Sequence, residues 1–159
     1  MAYTISALIA PEDILNASIV SNSPMRVVAL SQNFGLIPIT KAVQQPRDVK
    51  DMIGFDEEYP FHHLSDSVRK FALNVSFADR IAYVEAEFFG GIGYQSAVVW
   101  ENGNAILGPF LAQNLPRREM PINRVLRKLG VQTAEEMDEF DTLRLGRYRH
   151  TDQWVTTTT

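Results

Sequence analysis

The chain contains no cysteine. That single absence removes cysteine nucleophiles, thiolate metal sites and disulfides together. It fits a cytoplasmic setting, where disulfides are rare. No apolar run is long enough to span a bilayer. The opening "MAYTISALIAPEDILNASIV" lacks a basic stretch ahead of its short apolar segment, and Glu12 and Asp13 follow at once. The expectation is a protein with no membrane span and no secretory leader. There is no Gly-x-Ser-x-Gly elbow, no His-Glu-x-x-His pair and no Gly-Lys-Ser/Thr loop. Cations are not in excess either: 15 Lys and Arg stand against 19 Asp and Glu, for a net charge of −4. Phosphate neutralisation needs clustered cations, so nucleic acid is not the expected partner. A basic protein is compatible with the acid excess.

What is present is an ordinary globular composition, 45% hydrophobic and 21% charged over 159 residues. That is the length of one domain, and no internal repeat, low-complexity segment or linker divides it. A domain of this size buries roughly two thirds of its unfolded surface and needs no metal or disulfide staple. The reading is a single α+β domain over residues 1–159.

Strand composition at 3–9 precedes "PEDILNASI", where Pro11 and two acids mark a helix start with proline at the first helical position. "MRVVALSQ" and "FGLIPIT" read as two short strands, the second made an edge or irregular by Pro38. Val43, Val49 and Met52 have helical spacing, interrupted at Pro46 and closed by Gly54. Ser65 to Phe77 is an amphipathic helix, with Val68, Phe71, Ala72 and Val75 on one face. Residues 109–121 hold three prolines and read as a loop. Pro121 then opens a helix with Ile122, Val125, Leu126 and Leu129 on one side and Gly130 as its stop. Thr133 and Glu136 form a capping-box pattern for a helix beyond them. The ending "LGRYRHTDQWVTTTT" shows no clear element, and its last threonines are expected to fray.

Between the central strands lies "YVEAEFFGGIGYQSAVVWENG", with Gly90, Gly91 and Gly93 close together and Asn102-Gly103 at its end. Asn-Gly is the strongest short hairpin signal, because both central residues of a type I′ turn need positive φ. It pairs Trp100 with Ala105 and Val98 with Leu107. A four-residue loop at 90–93 pairs Phe89 with Tyr94, Glu87 with Ser96 and Glu85 with Val98. The result is a three-stranded antiparallel meander over 81–107, with an apolar face of Ala82, Val84, Ala86, Ala97 and Val99. Helices near 65–77 and 121–129 are expected to cover that face. The glycines then serve a turn. A phosphate cradle needs a helix to follow, and here a strand follows, with two carboxylates just before the loop.

The opposite face is mixed. It carries Glu85 and Glu87, about 7 Å apart by strand geometry, together with Tyr83, Tyr94 and Trp100. Two carboxylates among aromatics can divide acid and base roles when their surroundings separate their pKa values. The plain alternative is a sheet face with ordinary surface acids. His62-His63 follows Asp56, Glu57 and Glu58, but adjacent histidines on an extended chain point apart, so neither a metal nor a cofactor is expected. His150 reads as a surface or capping histidine. The acids Glu135, Glu136, Asp138, Glu139 and Asp141 precede Arg144, Arg147 and Arg149. They read either as a solvated helix or as a patch that meets a basic protein partner.

At "YVEAEFFGGIGYQSAVVW", "PINRVLRKLGV" and "DEFDTLRLGRYRHT" the chain resembles small bacterial proteins of the toxin-immunity type, over about half its length. It is similar in size and acidity to contact-dependent inhibition immunity proteins. The resemblance implies a cytoplasmic inhibitor that binds a cognate toxin, and it carries over no catalytic residue. The alternative expectation from the residues is a small enzyme built on Glu85 and Glu87.

Overall fold

Alternating apolar residues in 2–10 and 81–101 make three long strands, and these form the centre of the fold. The computed structural model describes residues 2–43 and 60–156. In chain order it contains β1 (Ala2–Pro11), α1 (Glu12–Ser18), β2 (Val28–Ala29), β3 (Phe34–Pro38), α2 (Asp66–Val75), β4 (Ile81–Phe89), β5 (Ile92–Glu101), β6 (Asn104–Ala112), α3 (Pro121–Leu129), α4 (Glu139–Thr142) and α5 (Gln153–Thr156). The six strands form one antiparallel sheet in the order β2-β3-β1-β4-β5-β6. This is an α+β domain, and the expected meander is its β4-β5-β6 half.

Helices cover both faces of the sheet rather than one. Ala82, Val84, Ala86, Ala97 and Val99 pack against Ile122, Val125 and Leu126 of α3, joined by Leu143, Leu145 and Trp154. Leu8, Tyr83, Val98 and Trp100 pack instead against Val68, Ala72 and Val75 of α2, with Phe61 and Leu64. The expectation that both helices share the apolar face is therefore corrected. Period-2 strands with large residues on both sides have two faces to bury, and α2 takes the mixed one. Ser65 caps α2 by accepting from the Val68 amide at 3.3 Å, and Gly130 ends α3 in the left-handed region at φ 106°.

The hairpins differ from the expected register in two places. Gly90 and Gly91, at φ 61° and 81°, make a two-residue turn in place of a four-residue loop. Phe89 therefore pairs with Ile92, Glu87 with Tyr94 and Glu85 with Ser96. The shift is by two residues, so each side chain keeps its face. Asn102 and Gly103, at φ 51° and 81°, turn as expected, and Trp100 meets Ala105. Irregularities on either side of Val99 then place Leu107 opposite Val99, not Val98. β6 runs on through Pro109 to Ala112, where a loop was expected; as an edge strand it tolerates a proline.

Other expectations shift in similar ways. Pro11 ends β1 and precedes α1 instead of standing inside it. The strand expected at 25–32 shrinks to Val28–Ala29. The Thr133–Glu136 capping box is not used: α4 starts at Glu139, with Asp138 as its cap accepting from the Asp141 amide at 2.8 Å. The C-terminal stretch, expected to be irregular, contributes the fully buried Trp154, edge-on to Tyr148 with ring centroids 4.9 Å apart. The helix expected around Val49 and Met52, with its stop at Gly54, lies outside the described residues, as do Asp56, Glu57, Glu58 and the last three threonines.

Candidate functional site

The face covered by α2 changes character along the strands. At one end it is apolar. Towards the Gly90-Gly91 turn, β1, β4 and β5 place Ser6, Glu85 and Ser96 in one row and Thr4, Glu87 and Tyr94 in the next. The row nearest the turn holds Ala2, Phe89 and Ile92. The segment 60–64 lies across the boundary, and beyond it Thr4, Glu87 and Tyr94 are half-buried while Phe89 and Ile92 are exposed.

Glu85 sits at that boundary and has no exposed surface. Its Oε1 accepts from the His63 backbone amide at 2.8 Å and from the Tyr83 hydroxyl at 2.8 Å. Its Oε2 accepts from the His62 amide at 2.7 Å and from the Tyr94 hydroxyl at 2.7 Å. Four donors match the acceptor sites of an ionised carboxylate. Because Tyr83 spends its one proton on Glu85, its contact with Ser6 at 2.8 Å has the serine donating. Glu85 thus fastens the loop to two strand tyrosines at once. No Lys or Arg among the described residues pairs with it.

Glu87 lies one row further out and is half-exposed. Its Oε1 lies 3.0 Å from His63 Nε2. A pocket of about 250 Å³ opens here, lined by Thr4, Lys41, His63, Glu87, His150 and Asp152 among others. It forms where β3 leaves β1: Ile39 donates to the Ser6 carbonyl at 2.8 Å, and Thr4 instead donates to the carbonyl of Arg149 at 2.7 Å. A second depression of about 390 Å³ shares Thr4 and Glu87 with the first and continues over Phe89, Ile92 and Tyr94. The two form one groove with a charged end and an apolar end. His62 lies tilted on Tyr94, with ring centroids 5.2 Å apart.

Burial and the neighbouring Glu85 charge push the Tyr83 and Tyr94 hydroxyls well above the ordinary tyrosine range, and burial does the same for Tyr3. Above about pH 10 an unfolded tyrosine loses its proton while these three keep theirs. The folded state then holds more protons than the unfolded one, so stability falls as pH rises beyond that point. We expect an absorbance titration of the native protein to leave these phenols un-ionised at about pH 11, and all of them to titrate in denaturant. Complete native titration by that pH would contradict the network.

The aromatic-lined cleft expected from the sequence is therefore redistributed. Glu87 and Tyr94 reach the groove. Glu85 and Tyr83 are sealed beneath it, and Trp100 belongs to the core under α2. All four donors hold the Glu85 carboxylate below the surface, so its oxygens do not face the groove. Sequence reasoning did not find Thr4, Lys41, His63 and His150 as groove residues. The signal for Glu85 was an acid flanked by Tyr83 and apolar residues in a central strand, a place where a carboxylate survives only with dedicated donors.

The acidic block is split as well. Glu135 and Glu136 are exposed, but Asp138 and Glu139 are buried. Asp138 accepts from Asn123 Nδ2 at 3.1 Å and from Arg117 Nε at 2.5 Å, and Arg117 also bonds Asp141. Glu139 accepts from Arg127 Nε at 2.9 Å. These partners come from the stretch around α3, not from Arg144, Arg147 or Arg149. Three of the five acids therefore bind the chain to itself.

Gly90 and Gly91 serve the turn, and a strand, not a helix, follows. Among the described residues no group of three or more His, Asp or Glu is arranged to hold a metal ion, and no helix is long and apolar enough to cross a membrane. Comparison of the chain with protein-family models, with curated proteins and with solved structures found no match.

Proposed function

We propose that this chain is a small cytoplasmic binding protein that recognises and neutralises a cognate protein toxin. The observation that carries the reading is the pair Phe89 and Ile92. They face each other across β4 and β5, beside the two-glycine turn, and stand 78% and 82% exposed. A rigid hairpin that presents an aromatic and a branched aliphatic side chain to water has the character of an interface anchor. The acid excess and the sequence resemblance point the same way. The test is to sequence the gene's surroundings and co-express the chain with a toxin domain encoded there. Protection of growth is expected from the parent chain. Loss of protection is expected from Phe89→Asp with Ile92→Asp, with the melting temperature unchanged because neither side chain is buried. Failure of the parent to protect or to bind that toxin sinks the reading.

The enzymatic reading keeps one specific support, the contact of His63 Nε2 with Glu87 Oε1 in an open pocket. In that reading Glu87 and His63 exchange the proton, and Glu85 holds the loop that carries His63. Unchanged biological function in Glu87→Gln would remove it.

A further inference from the structure

The groove at the Gly90-Gly91 end of the sheet combines two features that the acidic block does not. Among the described residues its carboxylates pair with no Lys or Arg, and an apolar anchor lies beside them. Glu85 is held by two backbone amides and two hydroxyls, all of them neutral donors. Glu87 has His63 Nε2 at 3.0 Å from its Oε1. The two acids stand at adjacent positions on one strand face, their backbones about 7 Å apart by strand geometry. Beside Glu85, the fully buried Ser96 leaves its Oγ without a hydrogen-bond partner. Tyr94 turns part of its ring to the groove between Glu87 and the apolar pair.

We infer that this groove seats a protein segment presenting an arginine or lysine next to an apolar side chain. The cation pairs with Glu87 and lies against the Tyr94 ring, and the apolar residue covers Phe89 and Ile92. The inference rests on the proposed role as a protein-binding domain and names the chemistry of the partner surface. Charge complementarity selects the occupant. Carboxylates that pair with no Lys or Arg among the described residues favour a positive group, and a half-buried acid next to an aromatic face binds it more strongly than an open surface acid does. Exposed apolar surface beside the acid favours a polypeptide over a small free cation, which leaves Phe89 and Ile92 uncovered.

The surface is testable without knowledge of the partner. The uniformly ¹⁵N-labelled protein is titrated with three probes: the capped peptide Ac-Leu-Arg-Leu-Arg-Val-NH2, its counterpart with glutamate in place of arginine, and free arginine. Saturable shifts are expected for the amides of Thr4, Glu87, Phe89, Ile92 and Tyr94 with the arginine peptide. The glutamate peptide should give none, and free arginine a much weaker response. Glu87→Gln should weaken the arginine peptide about tenfold, and Phe89→Ala should do so to a similar degree. Equal response to both peptides, equal response to free arginine, or shifts located elsewhere would each overturn the inference. Failure here is separable from failure of the toxin reading. A toxin complex whose affinity is unchanged by Glu87→Gln leaves the function standing and sinks this site. Peptide binding at the groove without protection against the toxin does the reverse.

Discussion

Replacing Glu85 with alanine is expected to cost about 4 kcal/mol of folding stability, since removing one partner of a buried charged network typically costs 3–5. The reason lies in what stays behind. The amides of His62 and His63 and the hydroxyls of Tyr83 and Tyr94 all donate to this one carboxylate. Each buried donor left without an acceptor costs about 1–3 kcal/mol, though water entering the space recovers part of that. Glu85→Gln keeps the volume but turns an amide group towards two of the donors, so a smaller loss is expected. Glu87→Ala, half-exposed and paired with His63, should lose under about 1 kcal/mol. Urea unfolding of the three variants gives the order, with midpoints moving at constant slope. Hydrogen exchange adds a local reading: the His62 and His63 amides should lose protection in Glu85→Ala. A Glu85→Ala variant within about 1 kcal/mol of the parent would mean that segment 60–64 is held by other contacts.

The two central carboxylates show why part of this fold was readable and part was not. Strand parity put Glu85, Glu87, Tyr83 and Tyr94 on one face, and that survived a two-residue error in register because parity survives any even shift. Turn chemistry at Asn102-Gly103 and the helix limits at Ser65, Pro121 and Gly130 follow from local backbone preferences, which a sequence displays directly. What covers a face is not local. Whether Glu85 is a surface acid or a sealed one depends on a loop some twenty positions earlier folding over it. The same holds for Asp138, whose cation comes from Arg117 and whose amide partner is Asn123. Charge spacing pointed instead to the nearer arginines. Trp154 was missed for a further reason: a four-residue helix carries too little periodicity to read, and its burial comes from the sheet it lands on.

Gly93→Ala is expected to be the most damaging of the three glycine substitutions, at about 3 kcal/mol, with an altered hairpin as the accompanying sign. Gly90 and Gly91 need positive φ but have open space around them, so alanine there costs about 1 kcal/mol each in backbone strain. Gly93 has the opposite problem. Its backbone needs no left-handed conformation, but a Cβ built on it falls 1.8 Å from the Glu87 carbonyl oxygen and 2.7 Å from the Phe88 Cα. Both are main-chain atoms of the paired strand, and no side-chain rotation relieves them. Relief requires β4 and β5 to part near the turn, which also displaces Glu87, Phe89 and Ile92 from the groove. The three variants should therefore separate by binding as well as by melting temperature. Gly90→Ala and Gly91→Ala should keep the partner at slightly reduced stability, and Gly93→Ala should lose both. Asn-Gly in place of Gly90-Gly91 should restore a type I′ turn and match the parent. Added ATP or NAD should leave every melting temperature unchanged, because a turn between strands offers no helix N-terminus to a phosphate. A nucleotide-dependent rise in the parent that Gly90→Ala abolishes would return the stretch to the cradle reading. A Gly93→Ala variant as stable as Gly91→Ala would show that the strands pair less closely there than the geometry requires.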